Sequence, residues 1–422
     1  MSQKTGTADL PLHGGKVPAW LAHRMAALGR VLVEALVLHY GRQEVLRRLS
    51  HPFWFQAFGA VMGMDWHSSG ITTTVVGALK RGLAPVADEL GIYVCGGRGA
   101  QSKKVPDELR GLGDRLGLDA AALVRASRLA AKVDNAAVQD GFQLYLHGFI
   151  VAADGNWAVV QQGMAGARHL ARRYHWLSEG LQSFVDAPHT AIEGEPQGEI
   201  INLADRRAAQ ARAQEVALVR SGPDEVLRQL RSLVETPPVQ PRLILPAHHE
   251  VRPGNVVERR LHGVLAAAQS ADVSDFEALL LVPGLGERTL ATLALLSEVL
   301  HGAPSRFSDP ARFSLALGGK DGQPFPVPLH VYDAALRIFR DAVQKSKLGR
   351  DEQAAALKRL HHQALLLEQT ARGPGVAAFI EEERARSHQY GGMSVAGPAK
   401  PPIAKPKRKV RGQLALGLVW GR

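Results

Sequence analysis

The sequence predicts an α+β protein: a mixed α/β region, an all-α region after it, and a disordered basic tail. Three observations predict this. Residues 142–164 read as a β-hairpin: Phe142, Leu144, Leu146 and Ile150 alternate with Gln143, Tyr145, His147 and Phe149. The turn Asp154-Gly155-Asn156 uses residues that tolerate positive φ, and residues 157–162 form the return strand. From about Leu203 to Leu366 the apolar spacing is almost entirely helical, broken by Pro-rich stretches at 237–246 and 324–328. Residues 391–412 are Gly, Pro, Lys and Arg with few apolar anchors, which makes a flexible linker. The expected division is 1–202, a catalytic α/β domain; 203–390, a helical DNA-binding domain; and 391–422, the tail.

Taken in order, residues 1–20 are rich in Gly and Pro and read as extended. Leu21, Met25, Leu28, Val31, Leu32, Ala35 and Leu36 recur at helical spacing, so residues 19–49 hold one or two helices, interrupted at His51-Pro52. An apolar aromatic stretch follows (Phe53, Trp54, Phe55, Phe58), then a Gly/Ser-bounded loop around Asp65 and His67. A helix is expected from Thr72 to Leu90, a short strand over 91–94, and a Gly/Lys-rich loop to Pro106. No internal repeat is visible.

At 422 residues, 45% hydrophobic and 22% charged, the chain can bury a substantial core. No apolar run approaches the roughly 18–20 residues of a membrane helix, and the first ten residues carry no cationic-then-apolar signal. A single cysteine, Cys95, excludes an internal disulfide and a cysteine-rich zinc site. The expected location is the cytoplasm, in association with the nucleoid. The net charge is +11, and seven of the basic residues fall within 395–422, which contains no Asp or Glu. The tail therefore reads as a tether facing a polyanion.

Residues 273–300, VSDFEALLLVPGLGERTLATLALLSEVL, describe an apolar helix, a Pro283-Gly284-Leu285-Gly286 turn and a second helix. This resembles the helix-hairpin-helix motif of DNA repair and recombination proteins. Glycines let backbones approach closely, and the unpaired amides at the second helix's start grip a phosphate without reading sequence. Gly284, Leu285, Gly286, Arg288 and Thr289 are the expected DNA contacts, joined by a second Gly/Lys loop of Gly96, Gly97, Arg98, Gly99, Lys103 and Lys104. That loop lacks Walker spacing, so no ATPase is implied. In the tail, Gln413-Leu414-Ala415-Leu416-Gly417-Leu418 resembles the peptide with which bacterial polymerases and repair proteins dock on the sliding clamp. Gln413, Leu414, Leu416 and Leu418 are its specified positions.

The chemistry-bearing residues cluster in the N-terminal half. A metal-dependent nuclease needs hard oxygen ligands for Mg²⁺ or Mn²⁺ and a cation to steady the phosphate. Asp65, Asp134 and Asp140 are the candidate ligands. Lys132, Arg173 or His67 is the candidate cation, with His67 as general acid or base and His147 as a further catalytic candidate. The hairpin also carries Gln161 and Gln162, where a restriction-like nuclease core would want an acid-x-Lys.

The segments 5–18, 96–99, 132–135, 139–141, 159–164, 172–176 (Arg-Arg-Tyr-His-Trp) and 318–322 together resemble the domain of unknown function 763 family of archaea and bacteria, over roughly residues 5–370. The resemblance implies DNA nuclease activity on single-stranded or structured DNA, and an α/β domain joined to a helical domain bearing the hairpin. The expected function is a clamp-recruited, metal-dependent DNA endonuclease of repair or recombination. The alternative is a non-enzymatic DNA-binding adaptor. The expected partners are DNA and the polymerase sliding clamp, without a membrane and with homodimerisation left open.

Overall fold

The computed structural model describes residues 19–62, 70–165, 170–194, 196–235 and 258–311, together with isolated positions further on. The chain divides into two compact units, Met1–Val376 and Ala377–Arg422. In the second unit, within the expected linker, Met393–Ser394 pairs antiparallel with Gly397–Pro398.

The first unit opens with α1 (Ala19–Ser50), which kinks at Gly41, and α2 (Pro52–Val61). The aromatic stretch is thus a helix begun by Pro52, the position where a missing N–H costs nothing. α3 (Gly70–Leu83) continues through a short 3₁₀ turn into α4 (Ala87–Leu90), covering the span expected to be helical. β1 (Ile92–Arg98) runs four residues further than expected. α5 (Val105–Leu116) and α6 (Ala120–Lys132) are punctuated by their own sequence. Pro106 sits in the first turn of α5, Gly117 closes it in the left-handed region, and Asp119 accepts the Ala122 N–H at 2.9 Å to cap α6.

The hairpin is present as β3 (Gln143–Ala152) and β4 (Trp157–Ala165), with Asp154 accepting the Asn156 N–H in the turn. β5 (Leu170–Leu177) and β6 (Ala191–Glu193) complete, among the described residues, an antiparallel sheet in the order β1-β3-β4-β5-β6. α1 and α3 pack on one face; α5 and α6 pack on the other. Both faces are therefore buried, and Phe149–Ala152 and Trp157–Val160 are apolar without alternation. A bulge between Leu144 and Leu146 shifts the pairing by one residue.

A smaller antiparallel sheet joins β2 (Val138–Gln139), β7 (Glu199–Asn202) and β8 (Arg306–Ser308). Of these strands only β8 falls within the expected helical run. The helices α7 (Ala209–Arg220), α8 (Pro223–Glu235), α9 (Glu258–Ser270), α10 (Phe276–Leu280) and α11 (Glu287–His301) lie in the chain between β7 and β8. One continuous apolar cluster runs from Tyr93, Phe149 and Trp176 on the large sheet through Leu218 and Leu265 to Leu285, Leu293 and Leu296. Among the described residues no helix is long and apolar enough to cross a membrane.

Candidate functional site

β5 is built from Arg172-Arg-Tyr-His-Trp176, and all five side chains are fully buried. Alternation sends Arg172, Tyr174 and Trp176 to the α5–α6 side and Arg173 and His175 to the α1–α3 side. Burying such groups is costly unless each finds a partner, and the partners define two polar networks.

On the α5–α6 side, α6 ends in a wide π-helical turn (Val133–Ala137) that carries Asp134 under the sheet. Asp134 is fully buried. Its Oδ2 accepts Gln161 Nε2 at 2.5 Å and Trp176 Nε1 at 3.0 Å. Its Oδ1 accepts His189 Nε2 at 2.5 Å. Burial pushes the Asp134 carboxyl up, opposed by the charge and hydrogen bond of His189. Gln161 Oε1 lies 2.7 Å from His147 Nδ1, and His147 Nε2 lies 2.8 Å from Ser127 Oγ. The amide NH₂ of Gln161 is spent on Asp134 and on the Ala130 carbonyl at 3.2 Å. Its oxygen must therefore accept from His147 Nδ1–H, and the Ser127 hydroxyl donates to Nε2. His147 is locked as a neutral imidazole, in line with burial pushing its pKa down to about 4. An unbroken chain Ser127–His147–Gln161–Asp134–His189 crosses the sheet.

Asp140 belongs to a second set of contacts on the same side. Its Oδ2 accepts Arg172 Nη1 at 2.7 Å and Tyr174 Oη at 2.6 Å, and its Oδ1 accepts the Phe142 N–H at 3.0 Å. Arg172 also grips Asp309 with two nitrogens, at 3.0 and 2.6 Å. Asp309 in turn accepts the Gln197 and Ala311 N–H groups. This buried triad ties β5 to the segment following β8.

On the opposite face Arg173 donates to Thr72 Oγ1 at 2.8 Å and to Gln56 Oε1 at 3.0 Å, and stacks on Phe55. Its Nη1 also lies 2.9 Å from Glu193 Oε2, a charge contact whose angles do not make a hydrogen bond. His175 is buried beside it, and burial lowers its pKa.

The helical hairpin sits against the end of α6. Asp275 caps α10 by accepting the Ala278 N–H at 2.8 Å. The chain then turns through Gly284, at φ +82°, which a side chain would strain. Leu285, an expected DNA contact, is buried. Gly286 precedes α11 in extended conformation with no side-chain cap, and the first amide bonded within the helix is Leu290 N to Gly286 O at 3.1 Å. The amides of Glu287, Arg288 and Thr289 are therefore left over by helix geometry. Lys132 Nζ donates to the Leu285 carbonyl at 2.5 Å, and Gln139 Nε2 donates to the Glu287 carbonyl at 3.0 Å. Arg125 pairs with Glu277 at 2.9 Å. Arg128, one turn before Lys132 on α6, and Arg288 are exposed.

Asp134 and Asp140 are both fully buried, every one of their carboxylate oxygens accepts from protein, and they belong to separate contacts. Among the described residues no group of three His, Cys, Asp or Glu side chains could hold a metal. Asp65 and His67 lie outside the described residues, as do Gln413, Leu414, Leu416 and Leu418. Lys132 is engaged with the hairpin turn through the Leu285 carbonyl. His147 has both ring nitrogens engaged in the interior, on Gln161 and Ser127. Arg173 is enclosed.

Gly96, Gly97 and Arg98 are strand residues paired with β3, not a loop. The Gly96 N–H is given to Glu108 at 2.6 Å, its carbonyl accepts Lys80 at 2.9 Å, and an added Cβ would stand 2.2 Å from the His147 carbonyl oxygen. That glycine serves sheet packing. Gly99, Lys103 and Lys104 form an exposed 3₁₀ turn. His189 escaped the sequence reading because it stands in a Pro188-His189 loop with no periodic pattern, and Asp134 is 55 residues away.

A family model described as Protein of unknown function (DUF763) matches residues 6–327. No curated protein matches the chain, and no solved structure matches it. The matched span covers well over half the chain and takes in the large sheet, both polar networks and the helical hairpin. The chain belongs to the DUF763 family.

Proposed function

We propose that this protein binds DNA through its phosphate backbone, using the Pro283–Gly286 turn and the start of α11 as a helix-hairpin-helix, and that it acts as a DNA endonuclease in repair or recombination. The observation that supports this best is the uncapped start of α11. Three amides are left without intrahelical partners behind a glycine that adds no side chain, at the positive end of a 15-residue helix. Nothing stands within 4 Å of where a Cβ on Gly286 would go, so a phosphate oxygen has room to approach. Arg288 on the same turn and Arg128 on the neighbouring helix supply exposed cations. Contacts of this kind carry no base information, which suits single-stranded or structured DNA. The basic stretch 400–411 and the peptide 413–418 are read as a tether that brings the protein to the sliding clamp and raises its local concentration on DNA.

The adaptor reading keeps the DNA grip and drops the chemistry. The engagement of Asp134 and Asp140 with protein groups favours it over a two-carboxylate metal centre. Fluorescence anisotropy with labelled hairpin and single-stranded DNA, beside cleavage assays with Mg²⁺, Mn²⁺ or chelator, separates the two. Binding without any cleavage supports the adaptor; no binding at low salt removes both.

A further inference from the structure

Asp134 and His189 form a pairing that neither the sequence nor the family description assigns. His189 Nε2 donates to Asp134 Oδ1 at 2.5 Å. The imidazole is therefore fixed with its lone pair on Nδ1, and among the described residues Nδ1 has no hydrogen-bond partner. The ring keeps 9% of its surface open, whereas its carboxylate partner has none. Trp176 holds the ring edge to face at 4.4 Å, and the Tyr174 ring centre lies 6.2 Å away. Trp176 Nε1 and Gln161 Nε2 fix the other carboxylate oxygen, so Asp134 cannot rotate away. Ala187, two residues before His189, holds φ at +51°, and its N–H is tied to the Ala204 carbonyl at 2.7 Å. A non-glycine residue keeps that conformation only where the surroundings enforce it. An imidazole oriented by a buried carboxylate through Nε2, with no hydrogen bond on Nδ1 among the described residues, is the arrangement of a general base.

We infer that His189, positioned by Asp134, is the base of a hydrolytic site for phosphodiesters. The substrate class rests on the DNA-binding reading above. In the step, a water oxygen bonds to phosphorus while its proton passes to His189 Nδ1. The bond from phosphorus to the leaving oxygen breaks with its electron pair, and solvent protonates that oxygen. The imidazolium, stabilised by the Asp134 carboxylate, returns its proton to water. Asp134 is a positioning residue, and Gln161 and Trp176 hold it in turn.

The test uses the full chain and two substrates, labelled hairpin DNA and bis(4-nitrophenyl) phosphate, with DNA binding followed separately by anisotropy. Wild type is expected to hydrolyse both. His189→Ala lowers the rate by about 10²- to 10⁴-fold without changing DNA affinity, and added imidazole restores part of it. Asp134→Asn lowers the rate and gains nothing from imidazole. His189→Gln serves if the alanine variant fails to fold by circular dichroism. Wild type that hydrolyses neither substrate, or a folded His189 variant at full rate, overturns the proposal. DNA binding without ester hydrolysis removes the site and spares the DNA reading. Hydrolysis of the small diester that depends on His189, in a protein that binds no DNA, does the reverse.

Discussion

Replacing Gly286 by aspartate separates two effects that most substitutions confound. Gly286 is the residue before α11, its φ and ψ of −147° and −177° are those of an ordinary cap, and an added Cβ meets nothing within 4 Å. Asp is a preferred residue at such a position and Gly a slightly poorer one, so the exchange stabilises the helix by a few tenths of a kcal/mol. The negative charge at the positive end of the helix adds about 0.3–1 kcal/mol. The melting temperature should therefore hold or rise slightly. DNA affinity should fall, because the carboxylate takes the amides a phosphate would use and repels the phosphate. Losing one or two charge-assisted hydrogen bonds at about 1.5–3 kcal/mol each raises Kd by roughly tenfold or more for each bond. Gly284→Asp is a poorer experiment, since φ of +82° there strains any side chain and mixes folding with binding. Anisotropy with labelled DNA at low salt, beside a thermal melt, reads both quantities. A Gly286→Asp protein that melts as predicted and binds DNA like wild type would refute the phosphate grip at this turn.

Arg172→Met strands two buried carboxylates, Asp140 and Asp309, and should lower stability by about 3–5 kcal/mol in urea titration; Asp140→Asn, which leaves Arg172 paired with Asp309, should cost less. Glu215, buried on α7, has no hydrogen-bond partner among the described residues, and burial raises its pKa well above the usual carboxylate value. The folded state then holds a proton that the unfolded state has lost, so stability falls as pH rises above the unfolded pKa. Glu215→Gln should match wild type in acid and melt higher than wild type at neutral pH; equal melts at both would contradict this. Replacing Gln413, Leu416 and Leu418 by alanine should abolish capture of the protein by a bacterial sliding clamp while leaving DNA binding by the hairpin in place.

The sequence made some of this architecture legible and hid the rest for identifiable reasons. Apolar alternation over 142–147 located β3, the turn chemistry at Asp154-Gly155-Asn156 placed β4 after it, and helical spacing located α1, α3 and α11, because local signals specify these elements. β5 carried no such signal. Arg172-Arg-Tyr-His-Trp176 reads as a polar cluster, and only the partners on both faces (Asp140, Asp309 and Asp134 on one, Glu193, Thr72 and Gln56 on the other) make it a buried strand. β2, β7 and β8 are two to four residues long, too short to show a period. The polar candidates Asp134, Asp140 and His147 stood out by residue type. Their roles depend on which groups the fold brings to them, and apart from the Phe142 N–H on Asp140 none of those partners is a sequence neighbour. Gly96 shows the same limit: it reads as a phosphate loop and proves to be the point where β1 closes on the His147 carbonyl.

DNA is expected to lie across the turn between α10 and α11. Photo-crosslinking of the full-length protein to DNA with a reactive backbone, followed by peptide mapping, tests it most directly. Crosslinks are expected within residues 283–290 and on α6 near Arg128, lost in Gly286→Asp. Crosslinks confined to the basic stretch 400–411, with none at the hairpin, would contradict it.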